Sequence, residues 1–411
     1  MEDIEFYAQL LGLPDPWRVR KVALDIAANR VDVWVEELPG ARWNCPECSQ
    51  GAPVYDHGEE RVWRHLNTCQ CQTFLHARLP RTKCVDHGVR QVSAPWAGPG
   101  SQFTMACESW LIDTLRECDV TGVSRLTGAS WDESWGVMAK AVARGKARKV
   151  HRIPEYLSID EKAFAKRYRY ETLICDLKGG TVEHIVEDRQ QESLERYYRQ
   201  FTDEERASVK AVAMDMWDPY VDWVRKHVAE ADQKIVFDKF HVAQHLGKAV
   251  DEVRRKENQA LRAEGDDRLK GTRYDWLCNP ATMDPEDRRA FAALRQSELK
   301  TARAWALKET GMNLYTYVYE GPARKHFQWW YGWAVRSRLA PMKDVAGMLK
   351  RRFENIITYL KHHITNATSE SLNAKIQWVK YTARGFRNKQ NFINAIYFHC
   401  GGLDLAPAAT K

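Results

Sequence analysis

Two pairs of metal-ligand residues, Cys45-Pro-Glu-Cys48 and Cys84-Val-Asp-His87, constrain this chain more than any other feature. Each pair sets two thiol or imidazole ligands on one tight turn, and the stretch between the turns reads as a hairpin. Four ligands can therefore close round a single structural zinc ion in tetrahedral geometry. Cys69-Gln-Cys71 lies between the pairs; a C-x-C in a strand lacks the turn of a knuckle, so ordinary packing is expected there. Cys107, Cys118, Cys175 and Cys278 are scattered through segments that read as helix or strand, which argues against a disulfide framework and for a reducing cytoplasm.

Periodicity divides the rest. Val19–Leu38 alternates with β-branched residues and reads as two strands around a turn at Ala27–Asn29, opening a zinc-binding β-rich domain over residues 1–100 that closes at the turn-rich Pro95–Gly100. Residues 101–152 change to helical spacing in three segments, the last announced by Ser130 and Glu133 as a capping box. The helix, glycine-containing turn and helix over Val120–Gly145 match a helix-turn-helix with Trp131–Arg144 as recognition helix. Lys140, Arg144, Lys146, Arg148, Lys149 and Arg152 follow without an intervening acid, a pattern suited to tracking DNA phosphates.

From Ile153 strand signals return as a three-strand meander followed by αβαβ, in which QESLERYYRQFTDEERASV reads as one helix. His241 to about Thr365 is helical almost throughout. Asp160 ends the apolar run YLSI, Asp215 ends VKAVAM and Asp238 ends KIVF. An acid at the C-terminal edge of a buried strand is costly without a cationic partner, so the repetition points to a shared divalent-metal site able to do phosphodiester chemistry.

The chain has 411 residues, enough for two to four domains, with 62 basic against 55 acidic residues and a net charge of +7. That balance suits a soluble, mildly basic protein. No stretch approaches the roughly 18–20 apolar residues of a bilayer span, and the acidic start is unlike a signal peptide; no membrane partner and a cytoplasmic location are expected. Walker A, H-E-x-x-H and G-x-S-x-G motifs are absent, which disfavours nucleotide-driven, zincin and serine-hydrolase chemistry.

The blocks CPEC, RVWRHL, RTKC, SIDEKAF, AVAMDMWDPY, VFDKFH, NATSESLNAKIQ and ARGFRNKQNF, in this order, resemble the DDE transposases of the bacterial insertion-sequence family ISL-three (ISL3). The resemblance spans nearly the whole chain. It implies a multidomain α+β protein: zinc-ribbon-like module, helix-turn-helix, and a ribonuclease H-like α/β catalytic domain over residues 153–245 and 362–400, interrupted by an all-helical insertion at 246–361. It carries the catalytic triad to Asp160, Asp215 and Glu370 as ligands of two magnesium (or manganese) ions, with Asp238 and His241 of a D-x-x-H signature as supporting residues. Double-stranded DNA, both transposon ends and target, is the implied partner, with at least a homodimer to join two ends at the nucleoid. Lys375, Arg384 and Arg387, beside Glu370 in sequence, are expected to hold the scissile strand, and Trp131 and the cations above to read the ends. The alternative is a catalytically inactive, transposase-derived DNA-binding regulator. The aromatics of Pro322–Phe353, such as Trp329, Trp330 and Trp333, fit a helical core better than a base-stacking surface.

Overall fold

The computed structural model describes residues 3–165, 169–186, 191–237, 239–278, 282–362, 364 and 367–407. The chain divides into two compact units: one from the N-terminus to Lys149, with Val379–His399 and the segment from Leu403 on, the other Val150–Trp378 with Cys400–Gly402.

The first unit opens with a helix that hydrophobic patterning did not reveal, α1 (Asp3–Leu11), whose one buried side chain is Tyr7. Strands β1 (Trp17–Asp25), β2 (Arg30–Glu37), β3 (Trp43–Asn44), β4 (Gly51–Ala52), β5 (Val54–Arg64), β6 (Gln72–Cys84) and β7 (Gly88–Gln91) follow. The main sheet runs β1-β2-β6-β5, with β7 on β6 and a parallel β2/β6 pairing, and β3 pairs with β4. Val31, Val33 and Val35 of β2 are buried while their neighbours are partly open, the alternation expected of a strand with one packed face. They join Trp17, Trp63, Leu75 and Trp96 in one core. Trp96 meets Trp17 and Trp63 edge-on, with centroids 5.0 and 5.5 Å apart.

Helices α2 (Met105–Glu117), α3 (Val120–Thr127) and α4 (Trp131–Arg148) come next. Gly128 ends α3 at φ 73°, a left-handed conformation that glycine adopts without a Cβ penalty, and two residues later Ser130 and Glu133 form the anticipated capping box. The turn between α3 and α4 is thus locally encoded on both sides. Arg64, from RVWRHL, is 9% exposed and donates to Thr127 O at 2.9 Å, tying β5 to the end of α3.

In the second unit, β8 (Tyr156–Ala165), β9 (Arg169–Asp176) and β10 (Thr181–Val186) form the meander, then α5 (Gln191–Tyr198), α6 (Asp203–Ala207), β11 (Ala211–Met214), α7 (Asp218–His227), α8 (Ala231–Lys234) and β12 (Ile235–Phe237). The single helix read from QESLERYYRQFTDEERASV is two, because Thr202 and Glu205 build a second capping box that starts α6 afresh. The sheet order is β10-β9-β8-β11-β12, antiparallel on the meander side and parallel across β8, β11 and β12. β11 and β12 are buried along their length, as parallel strands covered on both faces must be.

Helices α9 (Lys239–Ala263), α10 (Pro285–Arg295), α11 (Lys300–Met312), α12 (Glu320–Arg336), α13 (Ala340–Arg351) and α14 (Phe353–His362) follow, and no strand occurs among the described residues of this stretch. Val242, Leu246, Ala249, Val250 and Val253 make the buried stripe of α9. In α12, Phe327 and Trp330 are core, whereas Trp329 stays 59% exposed, so the aromatic run divides between core and surface. The chain ends with α15 (Ala367–Thr382) and α16 (Lys389–Cys400). Among the described residues, no helix is long and apolar enough to cross a membrane.

Candidate functional site

Both knuckles form. Cys45 N donates to Gln50 O and Ser49 N to Cys45 O, each at 2.8 Å, curling the first turn between β3 and β4. The second lies between β6 and β7, where Gly88 takes φ 66°. The ligand atoms of Cys45, Cys48, Cys84 and His87 all lie within 4.8 Å of one another, the one such group among the described residues. Cys48 Sγ is 3.7 Å from Cys84 Sγ, and His87 Nδ1 is 3.6 Å from Cys84 Sγ and 3.9 Å from Cys45 Sγ. A tetrahedron with metal–sulfur bonds of about 2.3 Å has edges of about 3.8 Å, so the four groups fit zinc. The His87 hydrogen bond pulls the Cys84 thiol down to about 6, towards the thiolate a metal needs. Cys69 and Cys71 stand outside this group: Cys69 is exposed on a turn at φ 55°, not in a strand, and Cys71 packs against the sheet core.

Asp160 and Asp215 sit in the second unit where the pairing of β8 with β11 ends, between the edge strands β10 and β12. Ile159 of β8 pairs with Met214 of β11, so Asp160 and Asp215 are the next residues on two adjacent parallel strands. Asp160 does not end its strand as the sequence suggests: β8 continues to Ala165 because β9 goes on pairing with it, and it is the β11 partnership that stops at Ile159. Asp215 is 46% exposed; its Oδ1 accepts from Met216 N at 2.6 Å and lies 3.6 Å from His241 Nδ1, at the start of α9. Asp238 lies outside the described residues.

Glu370 is exposed in the first turn of α15. One turn on, on the same face, Asn373 Nδ2 donates to Asp160 Oδ2 at 2.5 Å. The helix that carries the third acid is thereby docked on the first. The three carboxylates do not gather as closely as the zinc ligands do. Their oxygens are nonetheless the hard donors that magnesium and manganese prefer, and two of the three start from neighbouring strand positions.

Two residues here escaped sequence reasoning. Asn373 was hidden because an amide in a helix announces no partner. His245 lies one turn beyond His241 on α9; burial holds its pKa below the ordinary imidazole value, while the charge of Asp215 opposes the shift. The His241/His245 spacing of four was its available signal.

The basic run along and after α4 makes contacts within the protein. Arg144 donates to Glu108, Leu405 O and Ala406 O, each at 2.9 Å, and Arg148 to Asp404 at 2.9 Å and Ala406 O at 2.7 Å. Lys140 Nζ donates to Gly100 O at 2.7 Å. Lys146 stands 3.4 Å over the Tyr397 ring, and desolvation of its ammonium draws the pKa down to about 8. These four cations hold the first unit together, because carbonyls, two carboxylates and a ring of the same unit reach them. Lys149 and Arg152 complete the run; Arg152 lies 3.5 Å from Asp176 in the second unit's own fold. Trp131 is exposed at the start of α4, Lys375 is exposed on α15, and Arg384 and Arg387 are exposed on the loop after it.

Three family models match this chain. A DDE model of the ISL3 group, described as "Transposase", matches residues 157–396. A "zinc-finger of transposase IS204/IS1001/IS1096/IS1165" matches 41–87, and a "helix-turn-helix domain of transposase family ISL3" matches 92–142. Among curated proteins, the transposase for insertion sequence element IS1001 of Bordetella parapertussis is 27% identical over 387 residues, covering 92% of this chain and 91% of the relative.

Proposed function

We propose a catalytic reading on one premise: the chain belongs to the ISL3 family of transposases. It is a DNA transposase that binds the ends of an insertion sequence and cleaves DNA there. In our reading Asp160, Asp215 and Glu370 hold two divalent cations, magnesium or manganese, which supply Lewis acidity to phosphodiester chemistry. The reaction class is hydrolysis at the element end, releasing a 3′-hydroxyl, and then in-line attack of that hydroxyl on target DNA, with no covalent enzyme intermediate.

The observation that carries this reading is the Ile159/Met214 register, which sets two acids side by side, together with the Asn373–Asp160 hydrogen bond from the helix of Glu370. Asn373 orients the Asp160 carboxylate, and Met216 N and His241 orient that of Asp215. The strand order, antiparallel then parallel, supports a ribonuclease H-like core over residues 153–245 and 362–400 with 246–361 as a helical insertion. Residues 1–100 then form the zinc module, stabilised by one zinc ion, and 101–152 the end-reading helix-turn-helix. Joining two ends requires at least a dimer, acting on DNA in the bacterial cytoplasm. The inactive-regulator alternative is not favoured, since the matched transposase segment contains all three acids.

The test is Asp215→Asn on a plasmid bearing the element's own ends, with magnesium. End binding is expected to persist while cleavage and strand transfer disappear; full activity in this variant removes the assignment.

A further inference from the structure

A cleft of about 780 Å³ opens in the first unit between the helix-turn-helix and the loop that joins α15 to α16. One wall is Trp131 and Trp135 of α4 with Arg125 of α3; the other is Arg384, Phe386 and Arg387. The two walls come from segments far apart in the chain, and the sequence alone does not reveal the enclosure. We infer that this cleft takes an unpaired base of a DNA end, together with its phosphate. The inference rests on the transposase reading and deepens it, from binding DNA to a particular state of DNA.

Three observations converge on that ligand. The rings form a continuous edge-to-face series, with Trp131–Trp135 centroids at 5.7 Å and Trp135–Phe386 at 5.9 Å, yet Trp131 remains 53% exposed where the cleft opens. An exposed indole beside a cleft offers a π face for stacking. The guanidinium groups of Arg125, Arg384 and Arg387 have no ion-pair or hydrogen-bond partner among the described residues, and the only acid in the lining, Asp119, already caps α3 by accepting from Gly122 N at 2.7 Å. The wall is therefore cationic towards its contents. Trp135, which lines the cleft, carries a buried indole Nε1 that has no acceptor among the described residues.

The volume of the cleft suits an unpaired base. A cavity in the range of roughly 300–1,000 Å³ encloses a ligand the size of one or two nucleotides. A duplex buries its base faces in its own stack and presents only edges and the outer faces of its terminal pairs, so enclosing a single base in the cleft requires one that has left the helix. Arg384 at φ 53° and Gly385 at φ 91° turn the loop so that Phe386 is brought back onto Trp135.

The experiment uses the full chain without divalent metal. A short single-stranded oligodeoxynucleotide carrying one fluorescent adenine analogue is compared with the same strand in a blunt duplex. The single strand is expected to bind with quenching of the analogue, and Phe386→Ala to weaken that binding roughly tenfold while leaving duplex affinity unchanged; Trp131→Ala should weaken single-strand binding more than duplex binding. Arg387→Gln should weaken it too and flatten its salt dependence. Equal losses for single strand and duplex, or no loss in either, overturn the proposal. Should Phe386→Ala fail to fold by circular dichroism, the exposed Trp131 and Arg387 variants decide the matter. Asp215→Asn must retain the quenching; failure of the catalytic assignment in the cleavage assay leaves this result standing on its own.

Discussion

Arg144 offers the sharpest separation of two roles for one residue. Its position in the recognition helix suggests a phosphate contact, whereas the structure gives it three hydrogen bonds at 2.9 Å inside its own unit. Its acidic partner Glu108 is 4% exposed at the side chain, and Arg144 itself 21%. Replacing Arg144 with Met keeps the aliphatic stem and leaves the Glu108 carboxylate buried with only Ser101 Oγ, at 3.2 Å, to meet it. Breaking a buried pair from one side costs roughly 3–5 kcal/mol, and the partial exposure of Arg144 puts the loss near the lower bound. Against a total stability of about 5–15 kcal/mol that is a large fraction, equivalent to a fall in Tm on the order of 10 °C. Denaturant unfolding of the full chain, followed by tryptophan fluorescence, measures it. Adding Glu108→Gln to Arg144→Met should recover roughly 1 kcal/mol or more, since the stranded charge is then gone. The reasoning is refuted if Arg144→Met unfolds within about 0.5 kcal/mol of the parent while the salt slope of DNA binding drops by about one.

Three further outcomes follow from the same geometry. Cys48→Ser, or a strong chelator, should strip zinc and unfold residues 41–87, because in structural sites about 10 kcal/mol or more of metal binding is folding energy; metal content and hydrogen exchange over that segment report it. Gly128→Ala should destabilise the first unit by about 1–2 kcal/mol, since alanine would have to hold the left-handed backbone of φ 73° between α3 and α4; a thermal melt checks this. Asp32 is held below its ordinary 3.8 first by the Arg30 hydrogen bond, with burial opposing and His76 assisting. Its unfolded form binds protons more readily, so its contribution is present above about 3.8 and is lost as pH falls through the lower folded value. Asp32→Asn should flatten that acid limb and cost about 1.5–3 kcal/mol at neutral pH, measured by unfolding across the acid range.

Much of this protein is legible in its sequence because it is local. A knuckle needs two ligands on one turn, a capping box needs Ser130 and Glu133 three apart, and a buried parallel strand needs an apolar run such as Ala211–Met214. Each is complete within a few residues, so spacing alone announces it, and Asp215 is visible for the same reason. The family blocks extend that reach to Glu370 by resemblance, not by geometry.

What lay beyond the sequence depends on partners distant in the chain. The return of residues 404–406 to α4 engages Arg144 and Arg148, whereas Arg125, Arg384 and Arg387 line a cleft and are, in our reading, the cations available to DNA. Asp160 acquired Asn373 from more than two hundred positions away. A side chain's type states what it can bond, but the bond it makes is settled by which backbone arrives within about 3 Å of it, and only packing of the whole unit determines that.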